Sequence, residues 1–158
     1  MRPWGSKIKG LDELKAILSD LKAQGKRIVF TNGCFDLLHP GHIWCLQEAK
    51  ALGDVLVVAV NSDESVRRLK GPGRPIMSLE ARMKVLSALE AVDFVLPFEE
   101  DTPLRVISEL KPHVLVKGGD WKPEEVVGRE LVQEVRIIPY RKGFSTTEII
   151  RRILKLGA

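Results

Sequence analysis

Strand-like and helix-like segments alternate along this sequence, and few fold classes are compatible with that alternation. The clearest strand signal is residues 55–60, where six consecutive residues are apolar. A continuous run of this kind is typical of a strand buried on both faces of a parallel sheet. Four further segments have strand character, at residues 27–31, 94–96, 113–117 and 135–138. The pattern predicts an α/β fold with three layers and a doubly wound, five-stranded parallel sheet.

Polar residues at segment boundaries predict where several helices begin. Ser78 is expected to cap the start of one helix. Thr102 is expected to cap another, with Pro103 as its first helical residue. Ser145, followed three residues later by Glu148, has the capping-box pattern and is expected to begin the last helix.

The composition narrows the class of protein. The chain has 158 residues, of which 44% are apolar and 29% charged, as in a globular protein of one domain. The longest apolar run of six residues is far below the roughly 20 that a membrane-spanning helix needs. The first residues contain no apolar stretch typical of a secretion signal, so we expect a cytoplasmic protein without a membrane partner. The 25 basic and 21 acidic residues are scattered, and no nucleic-acid partner is expected.

Ligands of a doubly wound sheet bind in the loops that follow the strands. The sequence lacks the GxGxxG and GxxxxGK[ST] nucleotide-binding patterns. The loop after the first strand contains His39 and His42, which flank Pro40 and Gly41 where a helix is expected to begin. Free N–H groups and the positive end of the helix dipole favour a phosphate there, and the histidines can donate hydrogen bonds to it. The spacing alone fits a plain helix-capping loop equally well.

Zinc binding is an alternative for the same region. Cys34, His39, His42 and Cys45 are four possible zinc ligands within twelve residues. They are distributed over a strand end, a loop and a helix, and their spacing matches no common structural zinc pattern. A zinc-binding module is therefore the less favoured hypothesis.

Two segments resemble the signatures of a known family. Residues 31–42, with their His-Pro-Gly-His sequence, are similar to the first signature of the cytidylyltransferase-like nucleotidyltransferases. Residues 143–150, Gly-Phe-Ser-Thr-Thr-Glu-Ile-Ile, resemble the second signature. The resemblance covers about residues 27–153 and is strongest to the heptose 1-phosphate adenylyltransferases. It implies a Rossmann-like nucleotidyltransferase fold and a single domain, with a helical extension at residues 1–25 and a catalytic core at residues 26–158.

The resemblance also implies an activity. The expected reaction is adenylyl transfer from ATP to D-glycero-β-D-manno-heptose 1-phosphate, which yields ADP-heptose and pyrophosphate. Mg²⁺ is expected to accompany ATP without metal-ligating protein residues, and a homodimer is expected. The alternatives are a glycerol-3-phosphate cytidylyltransferase, another nucleotidyltransferase for a small phosphate substrate, and a nucleotide-binding module without activity.

Site residues follow from the same resemblance. Catalytic roles are predicted for His39, His42 and Lys70, the last as a mobile lysine in a loop rich in glycine and proline. Nucleotide contacts are predicted for Thr31, Gly33, Phe35, Gly41, Lys117, Gly118, Asp120, Ser145, Thr146 and Thr147. Substrate contacts are predicted for Asp36, Asp63, Arg82 and Trp121.

Overall fold

A parallel five-stranded sheet forms the centre of the structure, a computed structural model that describes residues 2–157. The strands are β1 (Ile28–Gly33), β2 (Val55–Asn61), β3 (Phe94–Phe98), β4 (Val114–Gly118) and β5 (Glu134–Ile138). They lie in the order β3-β2-β1-β4-β5, and all neighbouring pairs are parallel. The predicted five-stranded parallel sheet is confirmed. From β1 the chain adds β2 and β3 on one side and then β4 and β5 on the other, so the switch point of the sheet lies between β1 and β4.

Six α-helices occur in the described residues. They are α1 (Leu11–Ala23), α2 (Pro40–Lys50), α3 (Asp63–Lys70), α4 (Leu79–Ser87), α5 (Leu104–Leu110) and α6 (Thr146–Leu156). Helices α2 to α5 lie between strands, whereas α1 precedes β1 and α6 follows β5. None of the helices in residues 2–157 is both long and apolar enough to cross a membrane.

Two of the three predicted helix caps are confirmed. The Ser78 hydroxyl accepts a hydrogen bond from the Ala81 N–H, and the Ser145 hydroxyl accepts one from the Glu148 N–H. The prediction for Thr102 is wrong. Pro103 is the N-cap of α5 without a side-chain cap, because the first helical hydrogen bond runs to the Pro103 carbonyl oxygen.

The hydrophobic core has two parts, one on each face of the sheet. Strand β2 is buried along all seven residues, and its side chains alternate between the two parts. Val57 packs in the cluster that includes residues of α1 and α5, whereas Val58 packs in the cluster that includes residues of α2 and α4. Burial on both faces explains the continuous apolar run, and helices on both faces make the predicted three layers.

Helix α1 contributes to one of these two core clusters. Its Leu14 and Leu18 side chains are fully buried and belong to the cluster that contains α5. Lys15 extends from the same helix and forms an ion pair of 2.7 Å with Glu109 of α5. Helix α1 therefore packs as part of the folded core.

We predict that Leu18→Ala lowers the free energy of unfolding by about 2–5 kcal/mol, because it leaves a cavity in a packed core. The matched control is Leu156→Ala on α6, a leucine that is 87% exposed and should change stability little. Urea unfolding followed by circular dichroism measures both. Equal, small losses in the two variants would contradict the assignment of α1 to the core.

Candidate active site at the carboxyl ends of the strands

A cavity of about 760 Å³ opens at the carboxyl ends of β1, β4 and β5. This edge of the sheet includes the point where the strand order reverses, which is where doubly wound folds bind their ligands. The structure brings together most of the predicted site residues as cavity lining: Thr31, Gly33, Phe35, Asp36, His39, Gly41, His42, Lys70, Lys117, Gly118, Trp121, Ser145, Thr146 and Thr147. The other three predicted residues, Asp63, Arg82 and Asp120, do not line it.

His39 and His42 cap the start of α2 through their ring nitrogens. Nδ1 of His39 accepts a hydrogen bond of 3.1 Å from the Gly41 N–H. Nδ1 of His42 accepts one of 3.2 Å from the His39 N–H. A neutral imidazole that accepts at Nδ1 carries its proton on Nε2. Each ring therefore keeps one N–H donor for a ligand while it satisfies the backbone, so the capping and phosphate-binding hypotheses are compatible.

The two imidazoles lie close together, with ring centroids 3.9 Å apart. Burial, together with the neighbouring His39, lowers the pKa of His42 to about 4. Burial also lowers the pKa of His39. Both rings are consequently neutral hydrogen-bond donors near pH 7, rather than cations.

Gly41 is required for this arrangement. A Cβ atom at this position would lie 2.8 Å from Cε1 and 2.9 Å from Nδ1 of His39. The Phe144 ring stacks near the same imidazole, with centroids 6.3 Å apart and planes inclined by 13°. The first turn of α2 and the segment before α6 thus confine His39 from two sides.

Helix α6 also begins at the cavity. The Ser145 hydroxyl caps it, and the Thr146 hydroxyl donates a hydrogen bond of 2.7 Å to the carbonyl oxygen of Asp36. Thr147 is exposed and lines the cavity. Since Asp36 lies in the loop between β1 and α2, the bond from Thr146 holds the starts of the two helices next to each other.

Basic side chains line another part of the cavity. Burial lowers the pKa of Lys117, and its Nζ lies 4.9 Å from the Trp121 ring centroid. Lys70 is exposed at the cavity, but it is the last residue of α3 and not part of the glycine- and proline-rich loop, which begins at Gly71. Arg74 also lines the cavity, and its Nε donates to Asp36. Arg74 is not among the site residues predicted from the sequence.

Arg82 is a positioning residue in the structure, which corrects the predicted substrate contact. Its side chain is fully buried, and Nη1 donates to the carbonyl oxygens of Cys34 and Asn61. Nε donates to Met77 O, and Nη2 pairs with Asp63 at 2.7 Å. The guanidinium therefore joins the ends of β1 and β2 to the start of α4 and has no face towards the cavity. Asp63 pairs with Arg82 through Oδ1 and lies outside the cavity lining, and its predicted substrate contact stays a prediction.

Asp36 requires a similar correction. Its side chain has no exposed surface, and its carboxylate accepts hydrogen bonds from the N–H groups of Ile76 and Met77 as well as from Arg74. These bonds fasten the loop after β1 to the segment before α4. The carboxylate is thus used within the protein and is not available for the predicted substrate contact. Asp120 is exposed outside the cavity lining.

A zinc site is not formed in the part of the chain that the structure describes. No three Cys, His, Asp or Glu side chains among residues 2–157 come together as metal ligands. Cys45 instead faces Gly118, where a Cβ atom would lie 3.3 Å from its sulfur. Burial raises the pKa of both Cys34 and Cys45, as expected for packed thiols. The zinc-binding alternative is therefore not supported.

Comparisons with known proteins agree with the geometry. Residues 30–152 match the Cytidylyltransferase-like family. The chain is 56% identical over 154 residues to Bifunctional protein HldE of Pelobacter propionicus, an alignment that covers 95% of this chain and 32% of that protein. It is 54% identical over 146 residues to Bifunctional protein HldE of Sulfurimonas denitrificans, covering 92% and 31%. The chain spans about a third of the length of these relatives.

Solved structures show the same fold. The lipopolysaccharide core biosynthesis protein from Thermoplasma volcanium superposes with a TM-score of 0.65 and 30% identity, over 75% of this chain and 100% of that one. Pantoate-beta-alanine ligase from Francisella tularensis gives a TM-score of 0.60 at 17% identity, over 94% and 77%, and supports the fold alone. The fold and the histidine pair define a nucleotidyltransferase-like α/β domain. This chain belongs to the cytidylyltransferase-like family, as its two signatures predict.

We predict that stability falls as the pH is lowered from 6.5 to about 4, and that His42→Asn makes the fall shallower. In this range an unfolded histidine binds a proton whereas folded His42, with a pKa of about 4, does not, so protons favour unfolding. The slope is at most about 1.4 kcal/mol per pH unit for each such group. His39 and His113, whose pKa values are also lowered, contribute to the slope that remains. Glu100 and Glu109 contribute to it near pH 4, because hydrogen bonds with Arg105 and Lys15 lower their pKa values.

Urea unfolding at a series of pH values measures this dependence for both proteins. The control is the comparison at pH 8, where no histidine titrates and the two curves should be parallel. Identical slopes below pH 6.5 would contradict a His42 that is held neutral in the folded state.

Proposed function

We propose that this chain is an adenylyltransferase that joins the adenylyl group of ATP to D-glycero-β-D-manno-heptose 1-phosphate and releases pyrophosphate. The observation that carries the proposal is the backbone-capped pair His39 and His42, set at the start of α2 beside the start of α6. The choice of substrate rests on the resemblance to the heptose 1-phosphate adenylyltransferases. The identity of over 50% to proteins named Bifunctional protein HldE supports it.

The proposed chemistry is direct transfer. A phosphate oxygen of the sugar phosphate attacks the α-phosphorus of ATP, a P–O bond forms, and the bond to the bridging oxygen of pyrophosphate breaks. The attacking oxygen is already ionised near pH 7, so the step needs neither a protein base nor a protein nucleophile. Catalysis then consists of positioning the reactants and stabilising charge.

His39 and His42 are proposed to stabilise the charge that develops at the α-phosphate. Their Nε2–H groups are available because Nδ1 of each ring already accepts a backbone hydrogen bond. Donors that are fixed before the reaction need no reorganisation in the transition state, and one such donor is worth about 10²- to 10³-fold in kcat.

The start of α6 is proposed to hold the β- and γ-phosphates. Its first N–H groups and the Ser145 and Thr147 hydroxyls lie at the cavity, and the positive end of the helix dipole favours an anion there. Lys70 and Lys117 add positive charge to the same cavity. Thr31 is proposed to stabilise the floor of the nucleotide site rather than to contact a phosphate. Its hydroxyl donates a hydrogen bond to the Val116 carbonyl oxygen and so joins β1 to β4.

Mg²⁺ is proposed to enter with ATP. The donor set fits an ion held by phosphate oxygens and water, because the Asp36 carboxylate is fully hydrogen-bonded and Asp63 is paired with Arg82. When bound, the ion neutralises charge on the departing pyrophosphate. The residues of the chain would contact the phosphates directly rather than enclose the metal.

We predict that the purified chain releases pyrophosphate from ATP only when heptose 1-phosphate is present, and prefers ATP to CTP. Base preference is expected to be large because a wrong base leaves buried polar groups unpaired. A coupled pyrophosphate assay with each nucleotide, and with glycerol 3-phosphate as the alternative acceptor, measures this preference.

His42→Ala should retain cooperative melting and lower kcat by roughly 10²-fold or more.

The matched control is Lys26→Ala, an exposed lysine outside the cavity lining that should leave turnover unchanged. Equal or faster transfer from CTP to glycerol 3-phosphate would replace the adenylyltransferase by a cytidylyltransferase. Full activity of His42→Ala would contradict the role of the histidine pair.

A further inference from the structure

Tyr140 is the one tyrosine of the chain, and it is 70% exposed at the wall of the cavity. Its ring lies against the backbone of Gly119, which follows β4. A Cβ atom at Gly119 would lie 2.7 Å from Cζ and 2.8 Å from the hydroxyl oxygen of Tyr140. Gly119 also has a φ of +115°, and its N–H donates to the Ile138 carbonyl oxygen at 2.9 Å. The absence of a side chain at Gly119 therefore allows the ring to lie in this position.

The other aromatic rings of the cavity are already paired within residues 2–157. Trp121 has the Lys117 ammonium group 4.9 Å from its centroid. Phe144 stacks near His39, and the Phe35 ring lies 5.8 Å from that of His42. Tyr140 has no such partner in the described part of the chain, and no described residue hydrogen-bonds its hydroxyl. Its ring and its hydroxyl are both available to a ligand.

The backbone beside Tyr140 is formed by the uncharged residues Gly118, Gly119, Ile138 and Pro139 at the ends of β4 and β5. Two cationic side chains, Lys117 and Arg141, line the cavity next to these residues. The imidazoles and the start of α6 are joined to each other through Asp36 and Phe144. A nucleoside triphosphate can use both kinds of group, because its anionic phosphates suit these donors and the cationic side chains, and its uncharged aromatic base suits the exposed ring of Tyr140.

We propose that Tyr140 is the residue on which the nucleotide base stacks, and that it contributes to the choice of base through its hydroxyl. The proposal rests on the proposed use of ATP and adds a specificity-determining contact to it. Stacking between a base and an aromatic side chain is retained by any ring of similar size, so the ring supplies affinity, whereas the hydroxyl can distinguish the hydrogen-bonding edges of different bases.

The single tyrosine makes a direct test possible. The chain is produced with 3-fluorotyrosine, so that one ¹⁹F resonance reports on residue 140 alone. Addition of α,β-methylene-ATP, which cannot transfer its adenylyl group, should shift this resonance in a saturable way. Tripolyphosphate, which has no base, should compete with the analogue but leave the resonance unshifted. An equal shift with tripolyphosphate, analogue binding without a shift, or the absence of analogue binding would each overturn the proposal.

Variants give an independent measurement. Tyr140→Ala should weaken binding of the ATP analogue by roughly 5- to 150-fold, and Tyr140→Phe should retain most of the affinity because the ring remains. Neither variant should change the affinity for tripolyphosphate. The matched control is Trp4→Ala, an exposed aromatic residue outside the cavity. Wild-type affinity in Tyr140→Ala would contradict the stacking.

The proposed function and the base contact can fail separately. A shift of the ¹⁹F resonance by the ATP analogue, without pyrophosphate release from ATP and any sugar phosphate, would leave the base contact standing and reject the transfer reaction. Transfer from ATP with an unshifted resonance would do the reverse.

Discussion

The site depends on two hydrogen bonds from backbone N–H groups to imidazole nitrogens at the start of α2. A helix leaves its first N–H groups without partners, and most helices satisfy them with serine, threonine, aspartate or asparagine side chains. Here Nδ1 of His39 and Nδ1 of His42 accept them instead. The same two bonds fix the position of each ring and place each remaining proton on Nε2, so local backbone stability and ligand chemistry have a common cause.

Buried polar side chains hold this turn in place from below. Arg82 binds the carbonyl oxygens at the ends of β1 and β2, and Asp36 binds two N–H groups before α4. Removal of one partner from such a network leaves other buried groups unpaired, which is costly. Thr146 then links the loop to α6. The resulting rigidity suits a reaction in which the protein supplies fixed donors rather than a nucleophile.

Local patterns in the sequence predict the features that have local causes. The buried run of β2, the helix caps at Ser78 and Ser145, and the histidine pair at the start of α2 all depend on residues within a few positions of one another. The Thr102 prediction failed by one residue, because the first helical hydrogen bond runs from the Ile107 N–H to the carbonyl oxygen of Pro103. The family and the expected reaction were predicted from the resemblance of two sequence motifs. The hydrophobic pattern predicts the fold class but neither of these.

Contacts between distant segments were not predictable in this way. Arg82 reaches carbonyl oxygens 48 and 21 positions away, so its burial has no sequence signal, and resemblance placed it at the substrate. Tyr140 lies against Gly119 across two loops, and only the assembled sheet brings them together. Arg74 likewise becomes a cavity residue through its bond to Asp36. The roles of Arg82, Tyr140 and Arg74 thus depend on contacts that form only when distant segments come together in the folded sheet.

The backbone bonds at the start of α2 require both histidines to be neutral Nε2–H donors. Long-range ¹H–¹⁵N correlation spectra of the ¹⁵N-histidine-labelled chain test it directly, because the two ring nitrogens of a neutral imidazole have different shifts in each tautomer. We expect the Nε2–H tautomer for His39 and His42 at pH 7, and we expect His42 to titrate near its lowered pKa of about 4. An Nδ1–H tautomer, or a His42 that titrates at the ordinary histidine value, would contradict it.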